Sequence, residues 1–122
     1  MQIVHGPVEK RTGSAAEEQV LATDVSIAET TLEKLKGVMF QQSLPPDYGL
    51  VFPFETATKR GVHMLFVRVP IDVVWTVEGT VTAVKTLEPW TGYGRERADE
   101  IIELPAGAAA RVSVGDRVCR QK

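Results

Sequence analysis

Apolar positions along this chain come in short runs separated by turn formers, not in long helical stripes. Runs at 2–8, 19–22, 50–52, 62–67, 71–77, 80–84, 100–104 and 117–119 predict about seven or eight strands. Pro53, which lacks the N–H a ladder needs, ends the third of them, and Pro70 divides 62–67 from 71–77. Glu78-Gly79 reads as a hairpin turn. The segment 85–97 contains Pro89, Gly92 and Gly94 and reads as one long loop, a length often tied to function. The small, polar segment 10–16 reads as a loop or mobile linker.

One segment carries the helical period. In 27–36, Ala28, Leu32 and Leu35 share a face. Ser26 with Glu29 has capping-box spacing, Lys34 and Lys36 suit the negative end of the dipole, and Gly37 offers a left-handed exit. A further helical turn is expected at 106–111. One helix permits few βαβ units. The expected fold is therefore α+β: a single domain over 1–122, with a mostly antiparallel, strongly curved sheet or partial β-barrel capped by the 27–36 helix.

Composition narrows the function classes. A hydrophobic share of 43% and a charged share of 25% exclude a disordered chain, and 122 residues suffice for one core. The formal net charge of −2 leaves no basic surplus for phosphates, so no nucleic-acid partner is expected. Cys119 is the single cysteine, and only His5 and His63 accompany it. No disulfide can form within the chain, no metal-ligand spacing is visible, and no metal or cofactor is expected. No apolar stretch has signal-peptide or transmembrane length, so a cytoplasmic protein with no membrane partner is expected.

Candidate chemistry concentrates in 61–75, where polar groups interrupt an apolar run. Asp72 sits between Pro70-Ile71 and Val73-Val74-Trp75. A carboxyl desolvated there suits a general acid or base, or holds a ligand hydroxyl. The plainer reading is an aspartate satisfied by backbone N–H groups. His63 is either its catalytic partner, if the register brings the two together, or a rim histidine with one backbone bond. Arg68 offers a planar fork for an anion. Trp90 and Tyr93, on a glycine-rich loop, suggest a stacking platform for a sugar, base or peptide. No phosphate loop or nucleophile elbow is present. Cys119, Glu103-Leu104-Pro105-Ala106-Gly107 and Val114-Gly115-Asp116-Arg117-Val118 read as structural.

These residues point to a non-catalytic module that binds a small molecule or peptide. Its groove would lie between the 62–75 strands and the 87–97 loop, with Asp72, His63, Arg68, Trp90 and Tyr93 as ligand-binding residues. A hydrolase or lyase using Asp72 and His63 as acid and base is the alternative. A protein-interaction subunit, with an open sheet edge or an apolar patch at 44–54, is the second.

Several phrases recur in a specific order: Gly37-Val38-Met39-Phe40, Ser43-Leu44-Pro45, Gly49-Leu50-Val51-Phe52, His63-Met64, Pro70-Ile71-Asp72, and the two phrases read above as structural. Together, from about Val20 to Val118, they resemble the family catalogued as domain of unknown function 192. His63-Met64-Leu65-Phe66-Val67 followed by Pro89-Trp90-Thr91-Gly92 resembles its archaeal branch. The resemblance implies a compact β-rich fold and no particular activity. Where the family pattern often has Lys-Asn-Thr, this chain has Leu65-Phe66-Val67, so no site role passes to those positions.

Overall fold

The computed structural model describes residues 1–6 and 18–121; the expected loop at 10–16 lies outside them. The strands are β1 (Gln2–Gly6), β2 (Gln19–Ala22), β3 (Asp24–Ile27), β4 (Tyr48–His63), β5 (Ile71–Val77), β6 (Thr80–Leu87), β7 (Tyr93–Pro105) and β8 (Arg117–Gln121). They form one sheet in the order β2-β1-β8-β6-β5-β7-β4-β3. Neighbours run antiparallel except β3 and β4, which run parallel. The two edge strands, β2 and β3, are separated in the chain by Thr23 alone. The N–H groups of Thr23 and Asp24 both donate to the Asp47 carbonyl, at 3.0 and 2.9 Å, and fix the bend between them. The sheet thus curves until one bent segment supplies both of its edges, yet no ladder joins β2 to β3 and the sheet stays open.

This overturns the α+β expectation. The described residues are nearly all sheet, and their only helix is the six-residue α1 (Thr31–Lys36), too short to form a layer. Residues 106–111 form turns instead of a helical segment. The reason lies at Ser26 and Ile27, the expected helix start. They pair with Leu50 and Val51 of β4, and Ala28 N–H continues the ladder to Val51 O at 2.8 Å. A ladder between two strands outweighs a local cap, so the helix begins at the next suitable spacing. Glu33 N–H donates to Thr30 Oγ1 (3.1 Å), and Thr30 N–H to Glu33 Oε1 (3.0 Å).

Two further expectations shift. Strand β4 runs straight through Pro53, because the β4–β7 register slips between Pro53 and Thr58 and the missing N–H falls at that irregularity. The long loop at 85–97 shrinks to 88–92, since β6 and β7 extend into it. The 62–67 and 71–77 runs do not pair with each other, because β7 lies between β4 and β5. The Glu78-Gly79 hairpin forms as expected, with φ of 50° and 82°.

Both faces of the sheet are buried. On one face Ile71, Val73 and Trp75 pack with Phe52, Val62, Met64 and Ile101, covered by Ala28 and Val38 from either side of α1. On the other, Val74 packs with Ile3, Leu21, Val51, Ile102, Leu104 and Val118. Alternation along β5 therefore reads as a continuous apolar run. Trp75 is fully buried, and its Nε1–H donates to Arg60 O at 3.0 Å. Buried His5 Nε2 lies 2.7 Å from Asp116 Oδ2, which also accepts from Ser113 N–H, so β1 is pinned to the turn before β8. No helix among the described residues is long and apolar enough to cross a membrane.

The crossing of β4 over β1 and β2 demands a glycine. A Cβ on Gly49 would lie 2.7 Å from Ile3 Cδ1 and 2.9 Å from Ala22 Cβ, and the latter has no rotamer with which to retreat. Gly49→Ala is expected to cost about 1–3 kcal/mol. A lowered urea midpoint would show it; an unchanged midpoint would mean that the strands separate freely there.

Candidate functional site

A pocket of about 80 Å³ lies between the end of α1 and the face of β4 and β7 that carries Trp75's core. Strand β4 lines it with Phe52, Phe54 and Val62, β7 with Ile101 and Glu103, and the chain after α1 with Gly37, Val38 and Met39. Lys34 and Lys36, from the last turn of α1, and His63, at the end of β4, complete the lining. Lys34 Nζ stands 4.5 Å from the Phe54 ring centre and Arg60 Cζ 3.8 Å from it, so cations cover this aromatic.

Glu103 is the unusual group. It is buried among apolar neighbours, and its Oε1 has no hydrogen-bond partner. Buried polar atoms nearly always have one, so the orphan calls for an explanation. Desolvation raises its pKa from 4.5 to about 8, which leaves the carboxyl protonated at neutral pH. A neutral carboxyl in a pocket both donates and accepts, the property that binding and acid–base sites exploit. Gly37, at φ +53°, closes over it: a Cβ there would sit 3.4 Å from Oε1. Half-buried Tyr48 is pushed above its ordinary pKa by burial first and by the Glu103 charge second.

Sequence reasoning placed Glu103 in a structural phrase and missed it. The signal was in Ile101-Ile102-Glu103-Leu104. Period two puts Glu103 on the face of Ile101, and a strand apolar on both faces leaves a carboxylate no wet side.

Asp72 occupies the opposite face of the sheet, with 3% of its surface exposed. Its Oδ1 accepts from Thr86 Oγ1 at 2.7 Å, and its Oδ2 accepts from the N–H groups of Gly107 and Ala109, each at 2.9 Å. The two N–H groups tie the turns after β7 to β5, and the Thr86 hydroxyl ties β6 to it. His63 is exposed, and its Nδ1 accepts from Leu65 N–H at 3.2 Å. His63 pairs with Tyr93 at one end of β7, whereas Asp72 pairs with Leu104 at the other. The fold does not bring this acid–base pair together.

Arg68 is exposed on the link between β4 and β5. Tyr93 lies across Gly61, where a Cβ would come within 2.7 Å of the Tyr93 hydroxyl. Trp90 turns to Phe66 instead, with ring centres 5.4 Å apart, and Phe66 stacks on Phe40 at 5.4 Å. All three have left-handed backbone, with φ of 68° at Phe40, 62° at Phe66 and 67° at Trp90. Such conformations cost about 1–3 kcal/mol each in a bulky residue and persist only when their surroundings enforce them. Two backbone bonds do so: Phe40 N–H to Phe66 O (2.8 Å) and Trp90 N–H to Met64 O (3.0 Å). These three residues are 60%, 47% and 49% exposed. Within 44–54, where the protein-interaction alternative would place an exposed apolar patch, Phe52 is buried and Leu44 and Phe54 are partly buried against the core. Among the described residues no group of three or more His, Cys, Asp or Glu is placed to hold a metal ion.

Comparison with known proteins agrees with the β-rich fold. Residues 12–119 match the family DUF192, described as Uncharacterized ACR. A UPF0127 protein of Pyrococcus furiosus is 37% identical over 101 residues, which span 78% of this chain and 84% of that protein. A UPF0127 protein of Thermococcus kodakarensis is 32% identical over 92 residues; these span 74% of this chain but only 59% of the relative's length. A solved structure from Sinorhizobium meliloti, of a protein proposed to be a transcription regulator, superposes with a TM-score of 0.79 at 23% identity. It covers 97% of this chain and 92% of that one, a likeness of fold alone.

Proposed function

From the premise that this chain belongs to the DUF192 family, in the company of archaeal relatives, we propose that it binds a small molecule in the Glu103 pocket. The observation that carries this reading is the orphaned, buried Glu103 Oε1 facing an apolar cleft. Ligand sites combine apolar walls with a few convergent polar groups, one of them often of perturbed pKa. Here Phe52, Val62 and Ile101 form the walls, and neutral Glu103 meets a hydroxyl, carbonyl or amide head. Lys34 and Lys36 favour a ligand whose far end is acidic, and they disfavour a cation. Of the residues singled out in the sequence, His63 belongs to the rim of this site. The wall opposite it is the end of α1, in place of the 87–97 loop.

The test is a thermal-shift panel of small hydroxy acids, keto acids and amino acids, run on the wild type and on Glu103→Leu. A ligand that binds only the folded state raises the melting temperature by mass action, about 2.7 kcal/mol of stabilisation at a hundredfold excess over Kd. The expected hit shifts the wild type, leaves Glu103→Leu unmoved, and weakens as pH rises past about 8, where Glu103 stops donating. A panel with no hit, or a hit that persists in Glu103→Leu, would sink the reading.

A further inference from the structure

Resting on the reading of Glu103 as a ligand-binding group, we propose that its pocket takes a short monocarboxylate end-on. The carboxylate lies at the mouth, and a hydroxyl or primary amide lies against Glu103. The lining is graded from dry to wet. Glu103 is 6% exposed and its Oε1 has no partner, whereas Lys34 is half-buried and Lys36 and His63 are exposed. The inner end suits one polar group. A Cβ on Gly37 would stand 3.4 Å from Oε1 and 3.8 Å from Oε2, so glycine keeps the approach to both carboxyl oxygens clear. A hydroxyl or primary amide both donates and accepts, so it satisfies Oε1 whichever oxygen holds the proton. A methyl group in the same place leaves Oε1 orphaned.

The mouth selects an anion. Lys34 and Lys36 share the lining with Glu103, and among the described residues neither has a carboxylate partner. The nearest acid in sequence, Glu33, is engaged at the start of α1, where its Oε1 accepts from the N–H groups of Glu29 and Thr30 at 3.1 and 3.0 Å. His63 adds a donor. Its Nδ1 accepts from Leu65 N–H, so the proton of the neutral ring sits on Nε2. A carboxylate at this mouth faces two unpaired cations and an N–H, and an ammonium there is repelled. Size limits the rest. At about 10–15 Å³ for each water-sized group, a pocket of about 80 Å³ takes about five to eight non-hydrogen atoms. A hexose or a nucleotide exceeds this.

The experiment titrates the labelled full chain with γ-hydroxybutyrate and two probes of equal size, read by the Gly37 and Glu103 amide signals in NMR. Valerate lacks the hydroxyl, and γ-hydroxybutyramide lacks the charge. The hydroxy acid is expected to move both signals and to bind about tenfold more tightly than either analogue. Its affinity is expected to fall with added salt, and to fall about twofold to fivefold in Lys34→Gln and in Lys36→Gln. Binding of γ-hydroxybutyramide should respond to neither. If the amide binds as tightly as the acid and both are lost in Glu103→Leu, the pocket reading stands and the monocarboxylate is overturned. If the acid still binds Glu103→Leu as tightly as the wild type, both fall together. Valerate that binds as tightly as the hydroxy acid overturns the proposal, as does a hydroxy acid that moves neither signal.

Discussion

Glu103→Gln is expected to stabilise the protein above about pH 8 and to flatten its stability between pH 4.5 and 8. In the folded state desolvation holds the proton on this carboxyl up to about pH 8, whereas an unfolded glutamate releases it near its ordinary value of 4.5. Between those limits the folded state binds more protons than the unfolded state, so stability falls as pH rises. Below pH 4.5 both states are protonated and nothing is lost. Above pH 8 the full penalty is present, up to about 5 kcal/mol at 1.36 kcal/mol per pKa unit. Glutamine matches the protonated side chain in shape and never ionises. Urea unfolding of both proteins across this pH range decides the matter. The two stability curves should meet at low pH and diverge steadily above pH 4.5, with the variant higher. Parallel curves would mean that Glu103 is already ionised and solvated in the native protein. A ligand that hydrogen-bonds the neutral carboxyl stabilises the folded protein fully below about pH 8 and loses that effect above it.

Asp72→Ala is expected to cost about 1–3 kcal/mol, because it removes an acceptor that three donors share and strands the buried Ala109 N–H. The Thr86 hydroxyl and the N–H groups of Gly107 and Ala109 all lose their acceptor, and the turns after β7 lose their tie to β5. Asp72→Asn is the informative control. Its amide oxygen still accepts from the two N–H groups, while its NH₂ donates to a reoriented Thr86 hydroxyl, so the loss falls to about 1 kcal/mol. Denaturant midpoints of the two variants measure the difference. If Asp72→Ala instead left stability intact while removing ligand binding, the carboxylate would belong to a site. The same bonds explain why Pro70-Ile71-Asp72 and Glu103-Leu104-Pro105-Ala106-Gly107 occur in one chain: the carboxylate of the first phrase is satisfied by the backbone after the second.

Much of the sheet was legible because its signals are local. The alternating runs, the Glu78-Gly79 turn and the interruption at Pro70 all act over a few residues, and each marks a feature of the fold. The helix was legible in kind but not in extent. Ser26-x-x-Glu29 and Thr30-x-x-Glu33 both satisfy the capping rule, and the choice between them was made by β4, more than twenty residues away. The loop at 85–97 was overestimated for the same reason: its ends become strand only because β5 and β4 offer partners.

The candidate site follows this division. The sequence by itself determined a β-rich single chain, its family, and the desolvated position of Asp72, since burial of a short strand is written in its own residues. Only the tertiary structure decided which polar groups in those strands have partners. Asp72 and Glu103 look alike in sequence, each a carboxylate with apolar residues on both sides. The fold brings two backbone N–H groups and a hydroxyl to the first, and to Oε1 of the second it brings no hydrogen-bond partner. The aromatic row was invisible for a related reason. Phe40, Phe66 and Trp90 lie far apart in the chain, and nothing in their local sequence states that three left-handed turns will meet at one surface. Periodicity reports which face a side chain takes; only the assembled fold reports what waits for it there.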